Sequence, residues 1–132
     1  MILVDSNVLL DIFDKDPAWL NWSITHLRHS ALRDELAINA VVYAEISPRF
    51  ATPAELDELL DEMKIRVSEI PRTAAFLAGK AFVHYRLQGG ARANVLPDFF
   101  IGAHALALGC PLLTRDTRRY ATYFPSLTLI AP

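Results

Sequence analysis

At 132 residues the chain is long enough to bury a core without staples, and one domain over 1–132 is the expectation. Hydrophobic residues make up 52%, mean hydropathy is +0.22 and net charge is −2, so contact with nucleic acid must come from a local basic patch. A single cysteine, Cys110, excludes a disulfide framework and a cysteine-rich zinc site and reads as a buried free thiol. No apolar run reaches the roughly 18 residues of a membrane span. Residues 2–4 are too few for a signal segment, and residence in the cytoplasm, away from membranes, is expected. The surplus apolar surface is assigned to a partner or to self-association.

In chain order, Ile2-Leu-Val-Asp5 is a short apolar run that suits a central parallel strand. Ser6 and Asn7 are expected to cap a helix through about Phe13. Asp16 as N-cap and Pro17 at the first helical position predict a second helix, with Trp19, Leu20, Ile24 and Leu27 at helical spacing. That stripe suits a core face, or a groove extended by an exposed Trp22. Residues 36–39 read as a strand, followed by a helix from Ala40 to about Ser47, where Pro48 stops it. Thr52 and Glu55 form a capping box, with Glu55 reaching back, for a helix through Met63 that carries Leu56, Leu59 and Leu60 on one face. A strand over 65–70 ends at Pro71, and a long helix over 73–88 ends at Gly89-Gly90. The helix from Pro97 to Leu108 is apolar almost all round, hence buried on most sides, and Gly109 closes it. Strands over 111–114 and 127–130 complete the pattern. The alternation predicts an α/β fold: a three-layer sandwich around a central, mainly parallel sheet of four to five strands.

Four acids stand where these elements start or stop: Asp5, Glu45, Asp98 and Asp116. A carboxylate at the edge of a buried segment is costly to hold unless something pairs with it. Four that converge repel one another, and a divalent cation is the natural remedy. Open parallel sheets bind ligands beyond the carboxyl ends of their strands, where the strand order reverses. Asp5 ends the first strand and Asp116 follows the fourth, so both face one crevice if those strands are neighbours at the reversal. Asp98 lies in the first turn of the apolar helix. Glu45, more than a turn into its helix, must point back toward the strand ends. Each acid has a plain structural reading: a helix cap for Asp5, a solvated face for Glu45, helix-start chemistry for Asp98, a turn for Asp116. The set is more specific than any member.

The blocks Ile2-Leu-Val-Asp-Ser-Asn-Val-Leu-Leu10, Tyr43-Ala-Glu-Ile46, Leu96-Pro-Asp-Phe-Phe-Ile-Gly-Ala-His-Ala105 and Leu112-Leu-Thr-Arg-Asp116 resemble, in order and spacing, the PIN-domain nucleases. Among these the likeness is to VapC-like toxins of bacterial and archaeal toxin–antitoxin pairs, and it spans almost the whole chain. The resemblance implies Asp5, Glu45, Asp98 and Asp116 as the catalytic acids, with Asn7 and Thr114 as the small polar positions beside them. It further implies Mg²⁺ or Mn²⁺, endoribonuclease activity, a homodimer, and a cognate antitoxin that binds near the helices around residues 19–27.

The chemistry agrees with that set, because carboxylate oxygens are hard ligands suited to Mg²⁺ or Mn²⁺. Asp5 and Asp98 are the most direct metal ligands, Asp116 a further one, and Glu45 completes the site; Asn7 and Thr114 orient ligands or waters from behind. Metal-activated water attacking a phosphodiester in line leaves a 5′-phosphate and a 3′-hydroxyl. Arg92, Arg115, Arg118 and Arg119 lie around the expected crevice and are candidates for offsetting the RNA backbone. Tyr120 and Tyr123 could stack on bases, with packing the alternative.

Histidine-based cleavage needs two imidazoles as acid and base. His26 and His29 share one predicted surface helix near Arg28 and Arg33, His84 lies on the long helix, and His104 reads as a satisfied core histidine. A phosphoryl-accepting receiver domain needs adjacent acids after the first strand and a lysine after the last; here Ser6 follows Asp5, and no lysine follows Lys80. A metal-dependent DNA nuclease and a catalytically silent PIN-like nucleic-acid-binding module remain as alternatives.

Overall fold

Three consecutive aliphatic residues cannot alternate between core and solvent, and they are accommodated where both faces of a strand are covered. In the computed structural model, which describes residues 1–91 and 95–132, Ile2, Leu3 and Val4 are buried and form β1 (Ile2–Val4) at the centre of a five-stranded sheet. The other strands are β2 (Leu36–Ile38), β3 (Ile65–Val67), β4 (Leu112–Leu113) and β5 (Leu129–Ile130), in the order β3-β2-β1-β4-β5. All four pairings are parallel, and Leu3 faces Ala37 on one side and Leu112 on the other. The chain moves outward through β1, β2 and β3, then returns to the other side of β1 as β4. With right-handed crossovers this reversal sends the connecting helices to opposite faces, which gives the expected three layers.

The helices are α1 (Ser6–Phe13), α2 (Leu20–Arg33), α3 (Ala40–Ile46), α4 (Pro53–Glu62), α5 (Arg72–Leu87), α6 (Leu96–Leu108) and α7 (Arg118–Tyr123). Two of them, α1 and α2, begin elsewhere than the sequence suggests, and a side chain explains each; other elements differ in detail. Asp5 itself caps α1, accepting the N–H of Ser6, so Ser6 and Asn7 belong to the helix. Asp16 accepts from the N–H groups of Ala18 and Trp19 and makes a turn over 17–19, delaying α2 to Leu20. Asn39 leaves its strand to cap α3, its Oδ1 accepting from Val41 and Val42 at 3.0 Å each. Pro48 does not end the helical path at once, because a 3-10 turn over Ser47–Arg49 follows. Thr52 caps α4 as expected, but Glu55 reaches back to the N–H of Ala51 rather than to that of Thr52.

The short helix α7 was not anticipated. Its seat depends on Gly102 in α6: a Cβ there would lie 2.7 Å from the Phe124 ring and 3.0 Å from that of Tyr120. With no side chain at Gly102, α7 approaches α6 closely and Tyr120 is buried. Phe99, Ile101, Ala103 and Ala105 of α6 enter the core as its all-round apolarity predicts. Gly109 closes that helix in the left-handed conformation, φ 63°, and Cys110 is a buried free thiol.

The stripe on α2 divides. Leu27 is core, whereas Ile24 and Leu27 also line an apolar groove of about 300 Å³ with Ile12, Ala31, Leu36 and Met63. Leu36 starts β2, so the groove lies toward the amino ends of the strands. Trp22 is half-buried rather than exposed, and it stacks on His26 with ring centroids 4.2 Å apart. Among the described residues no helix is long and apolar enough to cross a membrane.

Candidate active site at the strand reversal

Asp5 leaves β1 where that strand lies beside β4, and its N–H donates to the carbonyl of Leu113 at 2.9 Å. That pairing sets Asp5 level with Thr114, the residue that follows β4. The Thr114 hydroxyl donates to Asp5 Oδ2 at 2.8 Å and accepts from the N–H of Asp116 at 3.0 Å. Asn7 Nδ2 lies 3.3 Å from the same Asp5 oxygen and 3.2 Å from Thr114 Oγ1, while Asn7 Oδ1 accepts from the Arg115 N–H. Asn7 and Thr114 thus stand behind Asp5, where the sequence places them. The Tyr120 hydroxyl also donates to Asp5 Oδ2, at 3.0 Å. Three donors on Oδ2 hold the carboxylate in one rotamer, and Oδ1 is held by the N–H of Ser6 at 2.8 Å.

Glu45 turns back from α3 toward the strand ends, as expected, and Ser6 Oγ donates to its Oε1 at 3.1 Å. Asp98, in the first turn of α6, is ion-paired with Arg119 of α7. Asp116 is exposed at the crevice edge, anchored through its N–H to Thr114.

The electrostatics couple these groups. Burial pushes the Asp5 carboxyl up to about 6, helped by the charges of Asp98 and Glu45 and opposed by the hydrogen bonds from Thr114 and Tyr120. Glu45 is raised by burial and by Asp98, against the Ser6 hydrogen bond. Burial raises Asp98 as well, with Asp116 adding to the shift and Arg119 opposing it. The Tyr120 phenol is held well above its usual range by burial and by the charges of Asp5, Asp98 and Asp116. Asp5, Glu45 and Asp98 each feel at least one other acid, and Asp116 acts on Asp98.

A hard divalent cation fits the chemistry of this donor set: oxygen ligands, mutual repulsion, and raised carboxyl groups that a nearby positive charge would ease. Yet among the described residues no three His, Cys, Asp or Glu side chains are gathered tightly enough to grip an ion as they stand. The reason is local, since Asp98 is turned to Arg119 and Asp5 Oδ2 is occupied by three donors.

The basic residues fare differently from expectation. Arg115 is engaged within the chain: its Nε bonds the buried Asp11 at 2.8 Å and its guanidinium lies over the Trp19 ring. Asp11 needs that partner more than the surface does. Arg118 is exposed and Arg119 is half-buried on Asp98, while Arg92 falls outside the described residues. His104 is buried as expected but only half satisfied. Asn39 Oδ1 accepts two N–H groups, so its Nδ2 donates to His104 Nδ1 at 3.2 Å and the ring proton sits on Nε2. That Nε2 has no partner among the described residues, and burial holds the imidazole below its usual range.

Sequence reasoning assigned Tyr120 to stacking or packing, not to Asp5. A six-residue helix opening on two arginines carries little apolar periodicity to announce it.

A parallel sheet whose reversal point is ringed with carboxylates defines an α/β protein with an anionic crevice. The chain belongs to the PIN domain family, whose model matches residues 2–125. No curated protein matches it in sequence. Among solved structures it is similar to VapBC-1 from nontypeable Haemophilus influenzae, at 22% identity and TM-score 0.73 over 99% of this chain and 98% of that one. VapBC2 from Rickettsia felis, bound to a DNA fragment from their promoter, gives 21%, 0.72, 99% and 98%. FitAcB from Neisseria gonorrhoeae gives 19%, 0.68, 98% and 96%.

Proposed function

We propose that the protein is a Mg²⁺- or Mn²⁺-dependent endoribonuclease and the toxin of a toxin–antitoxin pair. The observation that carries the reading is the group of Asp5, Glu45 and Asp98, all held above the usual carboxylate range at the reversal between β1 and β4. Buried anions that raise one another form a site that is stable when a cation joins them.

Asp5 and Asp98, with Asp116, would hold the ion, and Glu45 would complete the site. When bound, the ion supplies a water of lowered pKa and offsets charge on the phosphodiester. Asn7, Thr114 and Tyr120 keep Asp5 in one orientation. Glu45, half-buried with a raised carboxyl, is suited to accept a proton from the attacking water. Arg118, exposed beside Asp116, offsets the substrate's backbone charge.

The toxin assignment draws on family membership and on relatives of this fold solved as VapBC and FitAcB complexes, and it implies a cognate antitoxin. Phe76, Val83 and Leu87 are exposed along α5 at helical spacing, which supports a homodimer.

The test is cleavage of single-stranded RNA and of DNA, side by side, with chelator and with added Mg²⁺ or Mn²⁺. The expected result is RNA cleavage that chelator stops and either ion restores. Cleavage that persists in excess chelator overturns the metal site, and cleavage of DNA alone overturns the substrate class.

A further inference from the structure

Beside the acid crevice lies a second feature. A cleft of about 420 Å³ is lined by Tyr85 of α5, by Asp116, and by Arg118, Arg119, Thr122 and Tyr123 of α7. Its aromatic side is built as a platform. The rings of Tyr85 and Tyr123 meet edge to face with centroids 5.8 Å apart, and both rest on the buried Phe99 ring, at 5.6 and 5.3 Å. The backbone of Gly90 passes so close to Tyr85 that a Cβ there would lie 2.5 Å from its ring atoms. Both phenols are therefore half-buried and held, and ordering them against a ligand costs little side-chain entropy.

The cationic side is supplied by Arg118, which is exposed, and by Arg119, which links this cleft to the acid crevice through Asp98. Asp116 belongs to both. A π-face, an unburied guanidinium and a shared carboxylate are thus set side by side. A volume of a few hundred Å³ suits one small organic group with a few polar anchors. Aromatic faces take any nucleobase by stacking, while arginine takes its phosphate.

We propose that this cleft is the subsite for one unstacked nucleotide of a single-stranded nucleic acid, adjoining the bond to be cut, with its base against Tyr123 and its phosphate on Arg118. The proposal rests on the nuclease reading for its position next to the scissile bond. It also deepens that reading, because a base can enter the cleft only after leaving its stack. A duplex must spend a few kcal/mol to present it, so single strands are preferred over duplexes of the same sequence.

The test uses the whole chain in excess EDTA, with a fluorescent, unstructured RNA of about ten nucleotides (short enough to span one such site) and fluorescence anisotropy as readout. Tyr123→Leu keeps apolar volume but removes the π-face, and it should weaken binding about tenfold. Tyr123→Phe should retain binding. Arg118→Ala should weaken binding and lower the salt slope by about one. The matching duplex should bind at least about tenfold more weakly. Mn²⁺ affinity, measured separately, should be unchanged in Tyr123→Leu. Unchanged RNA binding in a folded Tyr123→Leu, or equal binding of duplex and single strand, overturns the subsite. Failure of metal-dependent cleavage with these binding effects intact overturns the nuclease reading instead and leaves a single-strand-binding module.

Discussion

Helix α1 and its N-cap carry two buried aspartates, six residues apart, and the protein treats them in opposite ways. Asp11, 2% exposed, accepts from Ser23 Oγ and from Arg115 Nε, both at 2.8 Å, and the guanidinium is covered by Trp19. Its charge is balanced within the chain. Asp5, 3% exposed, accepts from Ser6, Asn7, Thr114 and Tyr120, all neutral among the described residues, and its charged neighbours Asp98 and Glu45 are anions. The same loop serves both, Thr114 reaching Asp5 and Arg115 reaching Asp11. A buried carboxylate with its own arginine fastens α1 to α2 and to the loop after β4. One surrounded by neutral donors and like charges keeps its demand for a cation, the condition that the proposed metal site needs.

The strongest way to sharpen this contrast is to remove each charge in turn. Asp5→Asn should reduce metal-dependent cleavage about a thousand-fold, the size expected when several kcal/mol of charge stabilisation is lost, while circular dichroism shows the fold intact. Full activity in that variant would refute the metal-site assignment. Next in size is the pH dependence of metal-free stability. The folded Asp5 carboxyl titrates near 6 and the unfolded one near 3.8. Its favourable contribution is complete below the lower value and is lost as pH rises through the upper one, by about 3 kcal/mol. Urea unfolding between pH 4 and 7 should show the decline, and Mg²⁺ at pH 7 should reverse part of it; a flat profile would break the comparison.

Asp11→Ala strands Arg115 and Ser23. It should cost about 2 kcal/mol of stability, a value reduced because Arg115 is one-third exposed, without the loss of Mn²⁺ binding expected of Asp5→Asn. Calorimetry on both variants separates the two roles. Tyr120→Phe removes one donor from Asp5 Oδ2 and keeps the ring in its seat against Gly102. Mn²⁺ affinity should fall about tenfold, within the range for groups that orient a ligand, and equal affinity would reduce Tyr120 to packing. The smallest effect expected is from Arg119→Ala. Freeing Asp98 from its internal cation should tighten Mn²⁺ binding by up to about fivefold, the scale of a partly exposed ion pair. Weaker Mn²⁺ binding in that variant would show that Arg119 supports the site rather than competing for it.

Much of this architecture is legible in the residues. The aliphatic run before Asp5, the all-round apolarity of α6 and the caps at Thr52 and Gly109 are local signals, and each element formed near its expected place. Boundaries slipped where a polar side chain had two uses, as with Asp16 and Asn39. Helix α7 escaped notice because its stability comes from contact with Gly102 and Phe124, not from its own periodicity. Arg115 looked like a surface cation because nothing in the chain around Asp11 shows that this aspartate is buried. The same gap hid the bond from Tyr120 to Asp5.

Composition and order by themselves determined that a parallel sheet would form and that four acids would stand at the ends of its elements, because periodicity, caps and chain breaks act within a few residues. Tertiary structure decided which polar groups meet: Arg115 with Asp11, Arg119 with Asp98, and Tyr120 with Asp5, across separations of 104, 21 and 115 residues. Such pairing depends on distance in space and on burial, and both are set only when the sheet closes β4 against β1.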